Sequence, residues 1–383
     1  GLMVLLLAYC GMTTLWADFP VEALEKWNWV WKALVFAIFL PLTLRTRLRI
    51  EATALFMVLS IAAIVIAGGI KTLADGGGYG TLTTLVQDNS GIYEGSTLSM
   101  VAIASIPLIL WLVRHGTVFP RSKLVMLFAG ALAFACLLIP VGTQTRTGLI
   151  CIGVLAILML RSVRYRFLYI GAAGVLALAV VPFLPESYTA RMSTIRSHDE
   201  DQSASTRVAV WSWTYEYAKD HPLGGGFDAF RGNSFTYRMK VAVDRGGVTS
   251  FETQEVTDRA RAYHSSYFEM LGEQGWPGLA LWLWLHGLGL WQMEKLRRRY
   301  RKRAKEEPRP GDEWKGSLAS ALQQGQIVYL VGSLFIGIAF QPFIFMLIGL
   351  QCALWSYLNR VDAVKAVPRF QRLAPGGAAA SPT

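Results

Sequence analysis

The sequence predicts an all-α polytopic membrane protein with about ten transmembrane helices in this chain and one large, partly helical loop. Apolar residues make up 53% of the chain, which also contains 36 glycines and 13 tryptophans. Apolar runs of about 20 residues, long enough to cross a hydrocarbon core of about 30 Å as helix, recur along the sequence. A single long polar stretch, residues 185–276, interrupts these runs. Together these observations exclude a soluble globular domain.

Taken in order, the apolar runs predict ten spans. They lie near residues 1–17, 28–44, 52–70, 97–113, 123–142, 147–160, 167–184, 277–293, 322–340 and 343–358. The first run begins at Gly1 without an initiator methionine or a polar flank, so we expect one or more helices before it. It does not have the pattern of a signal peptide. The chain divides into N-terminal helices (1–184), the loop (185–276), C-terminal helices (277–360) and a cytoplasmic, mostly disordered tail (361–383).

Lys and Arg are concentrated in five connections between the predicted spans. These connections contain Arg45–Arg49, Arg114–Lys123, Arg161–Arg166, Lys295–Lys315 and Arg360–Arg372. They are every second loop, as expected if all five face the cytoplasm. The loop 185–276 then faces the periplasm of a Gram-negative cell, and it carries ten Lys and Arg against thirteen Asp and Glu. The net charge of +11 therefore indicates membrane topology and not nucleic-acid binding.

Several chemistries have no support in the sequence. All four cysteines fall within predicted spans, so no disulfide framework is expected. The chain has no Cys/His cluster with zinc spacing, no Walker loop, and no GxGxxG that follows a strand and opens a helix. An ATP-driven pump is therefore disfavoured.

Two shorter outward-facing segments contain candidate polar residues. The first, 71–96, includes Asp88 and Asn89, and it either connects two helices flexibly or contacts a sugar at the membrane surface. The second, 141–148, leaves Arg146 at the outer edge of the next span. An arginine at such an edge can snorkel to the surface. Arg146 lies on the side that is poor in Lys and Arg, however, and no acid is near it in sequence, so it is a candidate functional charge.

The polar loop contains two helix signals. Ala204–His221 has apolar or aromatic residues at helical spacing: Val208, Trp211, Trp213, Tyr215 and Ala218. That helix should end at His221-Pro222, before Gly224–Gly226, and residues 228–258 predict no definite structure. Tyr263–Glu273 predicts a second helix, broken at Gly275–Gly278 where the chain re-enters the membrane. His264 shares a helical stripe with apolar residues, so it is either a packed core histidine or a catalyst.

Three features of the loop together resemble the O-antigen ligase and polymerase superfamily. They are Arg207 at the head of a helix, the turn His221–Phe227 (HPLGGGF), and the helix entry Tyr263–Gly275 with Gly278. Members of the superfamily carry an Arg-led helix, a Pro-x-Gly-x-Gly turn and a His-led helix entry in one periplasmic loop, within a GT-C-like fold. The resemblance covers most of the chain, and Arg146 matches a functional arginine of the ligases.

Within that superfamily the N-terminal half is most similar to the exosortase-associated O-glycosylation ligases. The residues that carry this similarity are Trp16-Ala17, Glu25–Trp27 and Asp88-Asn89. Members of that subgroup have about twelve spans, which would fit a pair of helices before Gly1. Ser265 departs from the pattern, because many members have Asn at that position.

The resemblance implies an enzyme that moves a glycan from undecaprenyl pyrophosphate to an acceptor, which for the ligases is lipid A-core. Arg146 and Arg207 are the expected pyrophosphate ligands, with Arg191 as a third candidate, because a guanidinium binds phosphate oxygens in pairs and stays charged. His264 suits the general base, since its ordinary pKa is about 6.5. One-step attack would invert the anomeric configuration without a second carboxylate. Further candidate supporting residues are Tyr263, Ser265, Glu269, Glu273, Asp88 and Asn89.

We expect no metal and no other cofactor, because fixed arginines can stabilise the leaving pyrophosphate in place of a divalent ion. The triplet Asp199-Glu200-Asp201 resembles a metal-binding Asp-x-Asp, but transferases with that motif use cytosolic sugar nucleotides, and the triplet lies in a Ser-rich segment typical of a solvated turn. The expected partners are the lipid-linked donor, lipid A-core and membrane lipids.

Three other functions remain open at this point. An O-antigen polymerase and a protein O-oligosaccharyltransferase would use the same donor and differ only in the acceptor. A transporter or flippase would use the loop as a lid, and it should show inverted repeats and polar residues at the midplane. The sequence shows no convincing repeat, which disfavours the transporter.

Overall fold

The computed structural model describes residues 1–76, 92, 94–161, 165, 168, 171, 202–245, 248–309 and 311–366. The helices in these ranges are α1 (Leu2–Thr13), α2 (Pro20–Thr43), α3 (Arg47–Asp75), α4 (Gly95–His115), α5 (Lys123–Gly142), α6 (Arg146–Leu160), α7 (Gln202–Asp220), α8 (Ser266–Glu306), α9 (Glu313–Gly332) and α10 (Pro342–Ala366). Two strands, β1 (Ser234–Arg245) and β2 (Val248–Arg259), form an antiparallel hairpin between α7 and α8.

Four of these helices are long and apolar enough to cross a membrane. They are the segments Arg47–Ala74, Gly95–His115, Lys123–Gly142 and Pro342–Ala363. Leu2–Trp16 and Arg146–Leu160 are apolar but shorter. An all-α membrane protein therefore fits the described residues, while the count of ten spans stays a prediction. The predicted span 167–184 lies mainly outside the described residues.

Helix α4 occupies the centre of the bundle. Every residue from Thr97 to Ile109 is buried, and α4 packs against α3, α5, α6 and α9. Small side chains allow this packing, since a Cβ at Gly325 of α9 would lie only 2.7 Å from the carbonyl oxygen of Ala104. The outer helices α3 and α5 instead expose large apolar side chains such as Phe56 and Leu127. Such a distribution is expected of helices that face lipid.

The Arg-rich and Lys-rich connections lie together at one end of the bundle, as far as the structure describes them. Arg47, at the start of α3, donates to the carbonyl oxygen of His115 at the end of α4 (2.8 Å). Arg303, near the end of α8, pairs with Asp362 near the end of α10 (3.0 Å). The predicted alternation of the connections therefore agrees with the way the helices pack.

Helix α9 ends earlier than the predicted span 322–340. Its last residue is Gly332, and residues 333–341 are turns. Side chains at the start of α8 form hydrogen bonds with the backbone N–H and C=O groups of these turns. The Ser266 hydroxyl donates to Ile336 O (2.9 Å) and accepts from Ile338 N (3.0 Å), and Glu269 Oε2 accepts from Ala339 N (2.8 Å). Such partners allow non-helical backbone inside a membrane protein, and none of them is visible from local sequence.

The β-hairpin is the exception to the all-α expectation among the described residues. Ser234 pairs with Arg259 and Arg245 with Val248, so only Gly246-Gly247 lie between the strands. Glycine pairs and β-branched residues such as Val241 and Val243 favour hairpins. Sequence analysis predicted no definite structure here, because the charged residues along both strands mask a regular apolar alternation.

Helix α7 confirms the helix expected at Ala204–His221, but its buried face differs from the prediction. Every fourth residue is buried: Thr206, Val210, Thr214 and Ala218. The sequence predicts an apolar face, directed at the membrane surface or at other helices, that includes Val208, Tyr215 and Ala218; only Ala218 of these is buried, and Val208 and Tyr215 are exposed. Burial of Thr214 is tolerated because its hydroxyl donates to Val210 O within the helix (2.7 Å). Helix α7 packs on α8, where Trp211 stacks on Phe268 with ring centres 5.1 Å apart.

Candidate active site

The glycine turn Pro222–Gly226 docks directly on a break in α8. Gly275 leaves the helical conformation at φ 64° and ψ −169°, within the segment where a break was predicted. Gly225 N donates to Gly272 O (3.0 Å) and Gly226 N donates to Glu273 O (2.9 Å). A Cβ at Gly224 would lie 2.4 Å from Gly275 N, so the two backbones meet only because neither residue has a side chain.

The N-terminal segment closes over the other side of the same turn. Asp18 N donates to Gly225 O (2.8 Å), and the Trp16 indole donates to Gly224 O (3.1 Å). The Tyr217 hydroxyl of α7 donates to the Asp18 carboxylate. Residues near the chain start, α7 and α8 are thereby held together around one short backbone segment.

Beneath the turn lies a buried group of charges that we call the Lys26 cluster, formed by Lys26, Asp228, Glu269 and Glu273. The Lys26 ammonium lies 2.8 Å from Glu269 Oε1, 2.8 Å from Glu273 Oε1 and 3.6 Å from Asp228 Oδ1. The Glu273 side chain is fully buried. Its Oε1 also accepts from Asp228 N (3.0 Å). The ammonium thus joins α2, the glycine turn and α8.

Burial and the carboxylates act against each other in the Lys26 cluster. Burial by itself lowers the pKa of Lys26, but Glu269, Glu273 and Asp228 more than offset this and raise that pKa overall, so Lys26 stays charged. Burial raises the pKa of Glu273, and the neighbouring Glu269 and Asp228 raise it further, against the lowering effect of Lys26. Three carboxylates that share one ammonium do not all ionise readily.

His264 lies at the junction between the hairpin and α8, in a strained backbone conformation with φ 50°. Buried Asn233 fixes the chain just before it, donating to Arg261 O (2.7 Å) and accepting from Arg261 N (2.8 Å). The Trp211 indole of α7 donates to Tyr263 O (2.8 Å). These bonds orient the segment that ends at His264, and a non-glycine residue held at positive φ is typical of functional sites.

Charged side chains from three parts of the chain influence the His264 ring. Burial lowers the pKa of His264, Arg207 of α7 and then Arg261 lower it further, and Glu94 at the start of α4 opposes them. The net effect keeps the imidazole neutral at pH 7, with a free nitrogen able to accept a proton. The structure therefore brings the predicted residues His264 and Arg207 into one site.

Arg146 lies at the end of α4 that carries Glu94. It is the first residue of α6, and the turn before it is bonded to the first turns of α4. Thr145 donates to the Ser99 hydroxyl (2.9 Å), and the Ser99 and Thr143 hydroxyls are 2.8 Å apart. Glu94 caps α4 by accepting from Thr97 N (2.7 Å). Two helix N-termini, whose dipoles favour anions, are thus found at this end of the bundle.

The other predicted site residues fall into three groups. Ser265 is the residue before α8 and is buried, but its side chain makes no capping hydrogen bond. The buried Tyr263 hydroxyl has no hydrogen-bond partner in the described part of the chain. Glu269 and Glu273, expected as supporting residues, are buried and bind Lys26. Asp88, Asn89, Arg191 and Asp199–Asp201 lie outside the described residues.

Sequence analysis did not assign Lys26, Asp228, Arg261 or Glu94 to the site. Glu269 and Glu273 did contain a usable signal, because two acids one turn apart beside a membrane entry need a cation, and none is near them in sequence. Among the described residues, no group of three His, Cys, Asp or Glu side chains could hold a metal ion.

The effect of the Arg207 charge on the pKa of His264 can be tested without a substrate. Arg207→Gln should raise the pKa of His264, because it removes the cation that lowers this pKa most. Histidine-labelled protein titrated by NMR, with His264→Gln to assign the signal, measures this. Lys219→Gln, at the exposed far end of α7, should leave the titration unchanged. Equal midpoints in wild-type protein and Arg207→Gln would refute the electrostatic effect of Arg207 on His264.

Comparison with protein families gives two matches. Residues 130–283 match the family model described as O-Antigen ligase, and residues 1–117 match a family of unknown function, DUF5935. No curated protein matches the chain. The first match contains Arg146, the glycine turn and His264, and it supports the O-antigen ligase and polymerase superfamily. With the apolar helices, it indicates a membrane protein and a glycosyltransferase-type enzyme of the O-antigen pathway that acts on lipid-linked glycan.

Proposed function

We propose that the protein is an inverting, metal-independent O-antigen ligase of the Gram-negative inner membrane. It transfers O-antigen glycan from undecaprenyl pyrophosphate to lipid A-core on the periplasmic face. The observation that carries this proposal is that the Arg207 charge acts on His264 and helps burial to lower the pKa of its imidazole, within the region that matches the ligase family. A base and a phosphate-binding cation side by side are the two groups that such a transfer needs.

In the proposed reaction, the acceptor hydroxyl of lipid A-core attacks the anomeric carbon of the donor. The bond between that carbon and the pyrophosphate oxygen breaks, and the pyrophosphate leaves with the electron pair. The hydroxyl proton passes to His264. The depressed pKa of His264 keeps the base unprotonated at neutral pH, and such general-base assistance is worth roughly 10²–10⁴ in rate.

Arginines stabilise the charge that develops on the leaving group. Arg207 contacts the pyrophosphate near His264, Arg146 contacts it from the start of α6, and Arg191 is the third proposed ligand. Their planar guanidinium groups each bind two phosphate oxygens and remain charged when water is excluded. The N-termini of α4 and α6 at the same end add a favourable field. Fixed cations of this kind can replace a divalent ion.

Among the described residues, His264, Arg207 and Arg146 belong to the end of the bundle that carries Glu94, which favours a surface enzyme over a transporter with a midplane site. A polymerase or a protein O-oligosaccharyltransferase would use the same donor and the same base. Only the acceptor separates these activities from the ligase.

The test of the proposed function is therefore an acceptor comparison. Purified protein in proteoliposomes receives undecaprenyl-pyrophosphate glycan with lipid A-core, with a pilin-like protein, or with no added acceptor, each with and without EDTA. A ligase gives capped lipopolysaccharide on a gel in the first mixture only, at the same rate in EDTA. Lengthening of the donor alone would show a polymerase, and glycosylated protein would show the third activity. Loss of transfer in EDTA would refute metal independence.

Arg207→Lys tests the bidentate contact with pyrophosphate. The variant keeps the charge but loses the planar fork, so transfer should fall by at least about tenfold. Initial rates of lipopolysaccharide capping measure the effect, and Lys219→Arg in the same helix is the control. A fully active Arg207→Lys protein would contradict the proposed contact.

A further inference from the structure

A cleft of about 910 Å³ opens at the Arg-rich end of the bundle. It lies between the last turns of α4, the C-terminal part of α8 and the first turns of α9. Arg114 at its edge and Glu94 beside His264 mark the two ends of α4, about 30 Å apart for a helix of this length. The cleft is therefore separate from the proposed active site, and its volume is that of a ligand pocket.

Each of three helices presents a single face to the cleft. On α4 the lining residues are Pro107, Leu110, Trp111 and Arg114, and α8 and α9 contribute corresponding faces that include Arg301 and Ser320. On α4 the apolar residues come first and Arg114 comes last, about 10 Å further along the axis. Met159 of α6 adds to the apolar part. The cleft is thus cationic at its mouth and more apolar toward the membrane.

More arginines than carboxylates line the cleft. Five arginines line the cleft, against Asp312 and Glu313. Arg297 is paired with Glu294 (2.8 Å), Arg303 with Asp362 (3.0 Å), and Arg309 with Glu307 (2.8 Å). Arg114 and Arg301 have no carboxylate partner within the described residues and are exposed. Two guanidinium groups are thus available to an anionic ligand.

One acceptor also faces the mouth. Asp312 lines the cleft, and its Oδ1 accepts from Lys315 Nζ (2.6 Å). Its Oδ2 is buried and accepts no hydrogen bond from the described part of the chain, although Arg303 lies 3.6 Å away. A ligand with a hydroxyl or ammonium group next to its phosphate would satisfy this oxygen.

We propose that this cleft binds a phospholipid of the adjacent leaflet, with its phosphodiester on Arg114 and Arg301. The headgroup donor reaches Asp312 Oδ2, and an acyl chain follows Leu110, Trp111 and Met159 into the membrane. The planar forks of the two arginines match phosphate oxygens, and basic pockets between transmembrane helices bind lipid headgroups in this manner. The site is independent of the proposed glycan transfer.

Native mass spectrometry of the purified chain with added phosphatidylglycerol tests the proposal. The double variant Arg114→Ala/Arg301→Ala should bind this lipid about tenfold more weakly than wild-type protein. Lys302→Ala/Lys305→Ala removes the same charge from exposed positions of α8 outside the cleft and should bind normally. Ser320→Phe, which fills the apolar part, should also weaken binding. Phosphatidylcholine, which has no headgroup donor, should bind more weakly than phosphatidylglycerol.

Three results would overturn the assignment. The first is unchanged lipid binding by Arg114→Ala/Arg301→Ala. The second is an equal loss in Lys302→Ala/Lys305→Ala, which would show attraction by overall charge alone. The third is displacement of the lipid by millimolar inorganic phosphate together with normal binding by Ser320→Phe, which would show a site for free phosphate. Both substituted arginines are exposed and have no carboxylate partner among the residues that the structure describes, and circular dichroism checks that each variant is folded.

Discussion

His264→Gln is expected to reduce glycan transfer by roughly 10²–10⁴ while donor binding is retained. Glutamine is close in size and can still hydrogen bond, but it cannot accept the proton of the acceptor hydroxyl. Donor binding persists because the pyrophosphate is assigned to Arg207 and Arg146, and the histidine acts on the acceptor. Initial rates of capping and a separate binding assay with labelled donor measure the two effects.

His115→Gln is the matched control, since that histidine lies at the opposite end of α4 and should leave transfer unchanged. If His264→Gln lost donor binding and transfer in parallel, the histidine would be a donor ligand and not the base. Wild-type transfer by His264→Gln would remove it from the mechanism altogether.

Lys26→Met should cause the largest loss of stability. The substitution leaves the buried Glu269 and Glu273 and the half-buried Asp228 around an apolar side chain. Removing one partner of a buried ion pair typically costs about 3–5 kcal/mol, because the remaining charge is uncompensated. Since Lys26 joins α2 to the glycine turn and to α8, transfer should be lost as well. Thermal unfolding in detergent, followed by circular dichroism, measures the change.

Lys32→Met is the control for that variant, because Lys32 is exposed on the same helix and its replacement should change stability little. Adding Glu269→Gln and Glu273→Gln to Lys26→Met should restore part of the lost stability, since the uncompensated charge is then removed. A Lys26→Met protein as stable as Lys32→Met would refute the structural role of the Lys26 cluster.

Features set by neighbouring residues were predictable from the sequence. Helices α3, α4 and α5 follow long apolar runs, and the break at Gly275 follows from a Gly-Trp-Pro-Gly segment. The end of α9 at Gly332 was not predictable, because Ser266 and Glu269 of another helix satisfy the turns that follow it. The exposed Val208 was missed for a related reason, since the face of α7 that is buried depends on what α8 presents to it.

In the candidate site, too, some residues were predictable from the sequence and others were not. The loop pattern that carries the resemblance includes both His264 and Arg207, and the Arg207 charge acts on His264. Arg261 is only three residues before His264, yet its contribution depends on the backbone bonds to Asn233. Glu94 and Lys26 come from other helices, far from His264 and Glu269 in the chain, and a single sequence contains no signal for such pairings. Their positions follow from tertiary packing alone.

The most direct test of the account is the anomeric configuration of the transferred glycan. Capped lipopolysaccharide made by the purified protein from a donor of known configuration is isolated, and NMR of the linkage to the core gives the configuration of the product. Single-step attack assisted by His264 predicts inversion relative to the donor. Retention would require a covalent glycosyl-enzyme intermediate, and it would contradict the proposed mechanism.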